Sequence, residues 1–151
     1  MNCEYKINEL SDFQTVIDDI LNWYQKSNLE TLVITLKGDL GVGKTAFTKI
    51  LGKYLKVEEF ITSPTFTIMK QYPVLNEQFD QLVHIDAYRI DSEEEIEPLR
   101  LREIFKKPRT IICIEWPEQI PSVIPSSAVR IEIVISEGET RIVKVLHENI
   151  E

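Results

Sequence analysis

Between Ser11 and Lys26 the apolar residues return every third or fourth place, with Val16, Ile17, Ile20, Leu21 and Tyr24 on one helical face. This predicts an amphipathic helix, opened by Ser11 with Gln14 three residues on as a capping box. The period then changes. "TLVITL" at 31–36 is apolar or β-branched throughout, as in a strand covered on both faces. "KTAFTKILGKYL" at 44–55 returns to helical spacing, with Phe47, Ile50, Leu51, Tyr54 and Leu55 in one stripe. "TFTIMKQYPV" and "QLVHIDAYRI" read as strands joined by the polar turn "LNEQFD". "DSEEEIEPLRLREIFKK" predicts a second capped helix, with Ser92 and Glu95 as its box and Asp91, Glu93, Glu94 and Glu95 near the positive end of its dipole. "TIICIEW" is a further buried strand. "AVRIEIVI" and "TRIVKVL", linked by "SEGE", predict an antiparallel ribbon with one wet face. Together these elements predict a mixed α/β sheet with helices packed on it.

No linker, repeat or low-complexity tract interrupts the 151 residues, so residues 1–151 are expected to form a single domain. A net charge of −8 argues against direct contact with a nucleic-acid backbone. The adjacent pair Lys106-Lys107, with Arg109 nearby, reads as a solvated helix end. No apolar run approaches the roughly 18 to 20 residues needed to span a bilayer. "MNCEYKINEL" has neither a basic start nor an apolar signal segment, and Cys3 and Cys113 stand apart, so a reducing cytoplasm is the expected setting.

One stretch between the elements carries chemistry. "GDLGVGKT" at 38–45 satisfies the Walker A pattern of glycine, four residues, glycine, lysine and serine or threonine. Gly38, Gly41 and Gly43 let successive N–H groups curl around an anion, and a helix starting near Lys44 adds its dipole. Asp39, Leu40, Gly41, Val42, Gly43, Lys44 and Thr45 are thus candidate nucleotide contacts. Lys44 is suited to the β- and γ-phosphates and the Thr45 hydroxyl to Mg²⁺. The loop follows an apolar strand and opens an amphipathic helix, the context its mechanism needs.

A triphosphate site also needs acids beyond the carboxyl ends of the parallel strands. Glu115 ends "TIICI" in the manner of a Walker B acid, and Asp86 ends "LVHI". Strand alternation puts His84 and Asp86 on one face and Val83 and Ile85 on the other. Thr65, His84 and Trp116 are candidate switch residues. Thr65 reads equally well as a turn before a strand, and His84 as a histidine filling a hydrogen-bond slot.

"GDLGVGKT", "SPTF", "HIDAYR" and "IEWPE", in that order, resemble the TsaE family, the bacterial ATPase of threonylcarbamoyladenosine synthesis. That modification lies beside the anticodon of tRNAs reading codons that begin with A. The resemblance runs from the first helix to the last strand. It implies a three-layer fold like that of P-loop NTPases, with a central parallel sheet and antiparallel strands at its edges. It implies ATP and Mg²⁺ in the loop, Glu115 in the metal's shell and Asp86 needed for hydrolysis, either by ordering water or by holding the metal. It also points loosely to Asp12 near the adenine and to the turn around Gly138 closing the other side. The implied partners are TsaB and TsaD, with tRNA met only indirectly and no membrane. Two departures stand out: "EIEPLR" has Pro98 and Arg100 where the family usually has a glycine pattern, and Ala87 stands where leucine is commoner.

Other triphosphate users fit less well. A small-molecule kinase usually brings several arginines on a lid, and of the six arginines only Arg89 lies in a suspected site motif. A GTPase would carry an N-K-x-D or T-K-x-D motif, which is absent. A module that holds ATP without turning it over is not separable from a slow ATPase by sequence.

Overall fold

The computed structural model describes residues 2–64 and 67–147. Among them, seven strands form one sheet: β1 (Asn2–Ile7), β2 (Thr31–Lys37), β3 (Met69–Pro73), β4 (Gln81–Asp86), β5 (Thr110–Glu115), β6 (Val129–Ile135) and β7 (Arg141–Leu146). Their order across the sheet is β1-β7-β6-β2-β5-β4-β3. β4, β5, β2 and β6 run parallel, while β3 pairs antiparallel with β4 on one edge and β7 pairs antiparallel with both β6 and β1 on the other.

The expected alternation of faces holds on the central strands. Leu82, Ile111, Cys113, Leu32, Ile34 and Leu36 pack on one face with the buried stripe of α1 (Phe13–Lys26) and α2 (Lys44–Tyr54). Val33, Val83, Ile85, Ile112 and Ile114 pack on the other, under Ile90, Ile96, Leu101 and Ile120 from the connecting segments. Two cores therefore sandwich the sheet, which explains why β2 and β5 read as unbroken apolar runs. Phe13 and Phe47 meet edge-on at 5.7 Å and lock α1 to α2 beneath the glycine-rich loop.

Three local expectations are corrected, and one strand is added to them. β1 carried no clear signal; it is an edge strand whose Glu4 and Lys6 alternate with half-buried Cys3 and Tyr5. The first capping box is made by Glu9 and Asp12 rather than Ser11 and Gln14. It opens a 3₁₀ turn, Leu10–Asp12, that leads into α1. The second capping box, Ser92 with Glu95, forms as expected, but on the 3₁₀ turn Glu93–Glu95. The predicted helix over 91–107 breaks into two such turns and the short α3 (Leu101–Ile104). Pro98 lacks an N–H, and Arg100 turns left-handed with φ 52, so no long helix can run through. The strand expected over 65–74 spans Met69–Pro73, while Thr65 and Phe66 lie outside the described residues.

No described helix is long and apolar enough to cross a membrane.

Candidate functional site

The loop leaves the carboxyl end of β2 at Lys37 and enters α2 at Lys44. Its conformation depends on glycine. Gly41 has φ 80 and Gly43 φ 116, values an L side chain resists. Gly38 is needed for space: a Cβ there would lie 2.6 Å from the Ile133 carbonyl oxygen and 2.7 Å from Val42 Cγ2. Val42 is buried beneath the loop, while Asp39, Leu40 and Gly41 are exposed on its rim.

The parallel register of β4 and β5 sets Asp86 directly beside Glu115. Each ends its strand beyond the loop, and each is only 4% exposed. Glu115 is held from two sides. The Thr45 hydroxyl donates to both its carboxylate oxygens at 3.2 Å, and His84 Nε2 lies 2.7 Å from Oε2. A carboxylate only accepts, so His84 carries its proton on Nε2. Its Nδ1 is buried without a partner among the described residues. Asp86 Oδ2 accepts from the Ser63 hydroxyl at 3.2 Å and Oδ1 from the Tyr88 N–H at 3.0 Å. The Asp86 N–H itself donates at 2.8 Å to the carbonyl of Ile68, a β-branched residue held at φ 67. A conformation this uncommon, fixed beside a buried carboxylate, is typical of residues that aim a site.

Lys44 is buried too. Its ammonium donates to the Gly38 carbonyl and lies 3.6 Å from the centroid of the Trp116 ring. Burial pulls the amine below its ordinary range, against the opposing pull of Glu115, Glu118, Asp86 and Asp39. Trp116 takes the left-handed conformation at φ 59, where β5 ends, and its ring meets Tyr88 at 5.0 Å. These residues line a cavity of about 430 Å³, together with Leu10, Gly41, Gly43, Thr45, Ala46, Ser63, Asp86, Glu115 and Arg141.

The expected residues are not all gathered there. Asp12 spends its carboxylate on the N–H groups of Asn8 and Glu9 at 2.9 and 3.0 Å, bonds that hold its acidity above the ordinary. Leu10, two residues earlier, lines the cavity instead. Gly138, at φ 61, is exposed in the β6–β7 turn three residues before Arg141. Arg89 is exposed and is not among the lining residues, and Thr65 lies outside the described ones. Sequence reading missed Leu10, Ser63 and Arg141. Ser63 is the first residue of the "SPTF" signature and could have been found from it, whereas Arg141 sits in an ordinary-looking ribbon strand.

The residues present fit a magnesium nucleotide. Gly41 and Gly43 line the cavity in backbone conformations that favour glycine, α2 points its N-terminus into it, and one hydroxyl faces one buried carboxylate. Among the described residues no group of three or more His, Cys, Asp or Glu could hold a metal. Mg²⁺ does not need one, since it keeps several waters and takes few protein ligands beside phosphate oxygens.

A family model described as "Threonylcarbamoyl adenosine biosynthesis protein TsaE" matches residues 7–143. This chain belongs to the TsaE family. Among curated TsaE proteins, each described as "tRNA threonylcarbamoyladenosine biosynthesis protein TsaE", that of Bacillus subtilis is 42% identical over 106 residues, 70% of this chain and 62% of that protein. The Borreliella burgdorferi protein is 42% identical over 93 residues, covering 62% and 65%. The Rickettsia bellii protein is 33% identical over 117 residues, covering 77% and 78%. The chain thus spans a little under two thirds of the length of the first two relatives. The crystal structure of Bacillus subtilis YdiB superposes with a TM-score of 0.72 at 26% identity, covering 97% of this chain and 86% of that one. Threonylcarbamoyladenosine biosynthesis is accordingly the process to which this TsaE chain is assigned by family.

Proposed function

We propose that this chain binds ATP with Mg²⁺ in the Gly38–Thr45 loop and hydrolyses it in the cytoplasm as the ATPase subunit of threonylcarbamoyladenosine synthesis. It acts with TsaB and TsaD, leaves transfer of the group to them, and meets tRNA only through that complex. The observation that carries this reading is the Thr45 hydroxyl 3.2 Å from the buried Glu115 carboxylate, at the mouth of a glycine loop that holds Lys44.

Each group has work that its surroundings allow. The loop amides and the N-terminus of α2 take phosphate oxygens. Lys44 exchanges the Gly38 carbonyl for the β- and γ-phosphates, whose negative charge offsets the burial that disfavours its ammonium. Bound Mg²⁺ supplies neutralisation of charge on the phosphate oxygens. Thr45 and Glu115 are the side chains placed to hold it, and His84 fixes the carboxylate's orientation. Asp86, aimed by Ser63 and the Tyr88 amide, accepts a hydrogen bond from the attacking water and orients it. Among the described residues no acceptor-binding lid accompanies the site, which favours water over a metabolite as the acceptor.

The deciding experiment is ATP hydrolysis by the purified chain, alone and with TsaB and TsaD, using Lys44→Ala as the blank. Slow turnover alone and stimulation by the pair are expected. Steady turnover without stimulation removes the partner assignment. Turnover no higher than the blank under both conditions removes the ATPase.

A further inference from the structure

Arg141 reaches the cavity from the opposite side of the loop to the acids. The loop springs from β2. Glu115 and Asp86 end β5 and β4, on one side of β2, while β6 and β7 lie on the other. Arg141 opens β7 directly after the β6–β7 turn, and its backbone is pinned between Ile7 of β1 and Ile135 of β6. From this fixed root the side chain passes along Gly43. A Cβ at Gly43 would stand 3.4 Å from Arg141 Nε and 3.7 Å from its Cδ. The arginine stem and the last loop glycine are thus within van der Waals reach of each other.

The guanidinium is poorly spent where it lies. Nε is enclosed without a hydrogen-bond partner among the described residues, and one terminal nitrogen reaches the Glu139 carbonyl at a long 3.4 Å. An enclosed donor of a permanently charged group is costly to leave unpaired, and a guanidinium is shaped to grip phosphate with two parallel bonds. The cavity's charged lining is otherwise Lys44, Asp86 and Glu115. Without Arg141 a triphosphate would face more negative than positive side chains.

We propose that Arg141 is the second cationic ligand of the nucleotide, gripping the α- and β-phosphates from the β7 side while Lys44, Thr45 and the acids serve the γ-phosphate end. This rests on the nucleotide reading above and adds the residue that recognises the diphosphate portion common to ATP and ADP.

The test is calorimetric titration of the full chain with ADP and with the slowly hydrolysed analogue AMPPNP, both with Mg²⁺. Wild type, Lys44→Ala, Arg141→Ala and Arg141→Gln are compared, and thermal melts establish that each is folded. Arg141→Gln keeps the stem that packs on Gly43, so it carries the test should the alanine variant fail to fold. The Arg141 variants should lose roughly tenfold to a hundredfold in affinity for ADP and AMPPNP alike. Unchanged ADP affinity in a folded variant overturns the proposal, as does a loss confined to AMPPNP, which would put the arginine at the γ-phosphate. If wild type binds neither ligand, the nucleotide reading falls and takes this one with it. If wild type binds both and Lys44→Ala does not, unaltered Arg141 variants sink this inference alone.

Discussion

Gly38 and Glu115 show two ways in which a single residue is constrained by its neighbours. At Gly38 the constraint is steric, because the Ile133 carbonyl and the Val42 methyl occupy the space of a side chain. Gly38→Ala should therefore lower stability by about 1–3 kcal/mol, seen as a lower urea midpoint. At Glu115 the constraint is electrical: a carboxylate 4% exposed is tolerable because Thr45 and His84 both address it. Glu115→Gln and Asp86→Asn should still bind ATP, while turnover falls by about 10²-fold or more in each, measured by titration and by phosphate release. Normal turnover in both variants would end their assignment to hydrolysis. Cys113 is constrained by burial, which pushes its thiol from 9.0 up to about 12. Between pH 9 and about 12 the unfolded chain sheds a proton that the folded chain keeps, so this residue makes stability fall as pH rises through that window. A flatter alkaline arm in the denaturation profile of Cys113→Ala is the expected sign. Thiol alkylation at pH 8 should mark Cys3 and spare Cys113 until the chain unfolds.

At the level of elements, legibility in the sequence followed burial. β2 and β5 are covered on both faces, so their apolar runs were unmistakable, and the acids ending β4 and β5 stood out as the first charges after such runs. α1 and α2 each bury one stripe, and that stripe was readable. β1 is different, since an edge strand gains its place from hydrogen bonds to β7, which any sequence can make. The segment after Asp91 has the composition of a helix and a true capping box, yet Pro98 and the left-handed Arg100 decide against continuation. Local preference there was overruled by two backbone restrictions. The site's acidic half was legible because it sits at strand ends. Its basic outer wall was not, because Arg141 meets the loop only through the order of strands in the sheet, a property no local spacing encodes.

Considered whole, the molecule is an acidic body of net charge −8 folded around a sheet whose central strands deliver a lysine, a threonine and two acids to one edge. The parallel centre supplies that convergence, and the antiparallel margins close the sheet and bring the arginine. The Lys44 ammonium rests 3.6 Å from the Trp116 centroid, and this gives the whole protein an optical consequence. A cation held against an indole perturbs its excited state, so drawing Lys44 away toward phosphate should change the colour or intensity of the emitted light. The chain has two tryptophans, and Trp23 meets the His147 ring at a tilt away from the site, so Trp23→Phe leaves Trp116 as the single emitter. Added ATP should then shift that emission along a saturating curve, and Lys44→Ala should flatten it. A flat trace in a protein that calorimetry shows to be loaded would mean that the ammonium never leaves the ring. A saturating one would let each turnover of the site be watched by its own fluorescence.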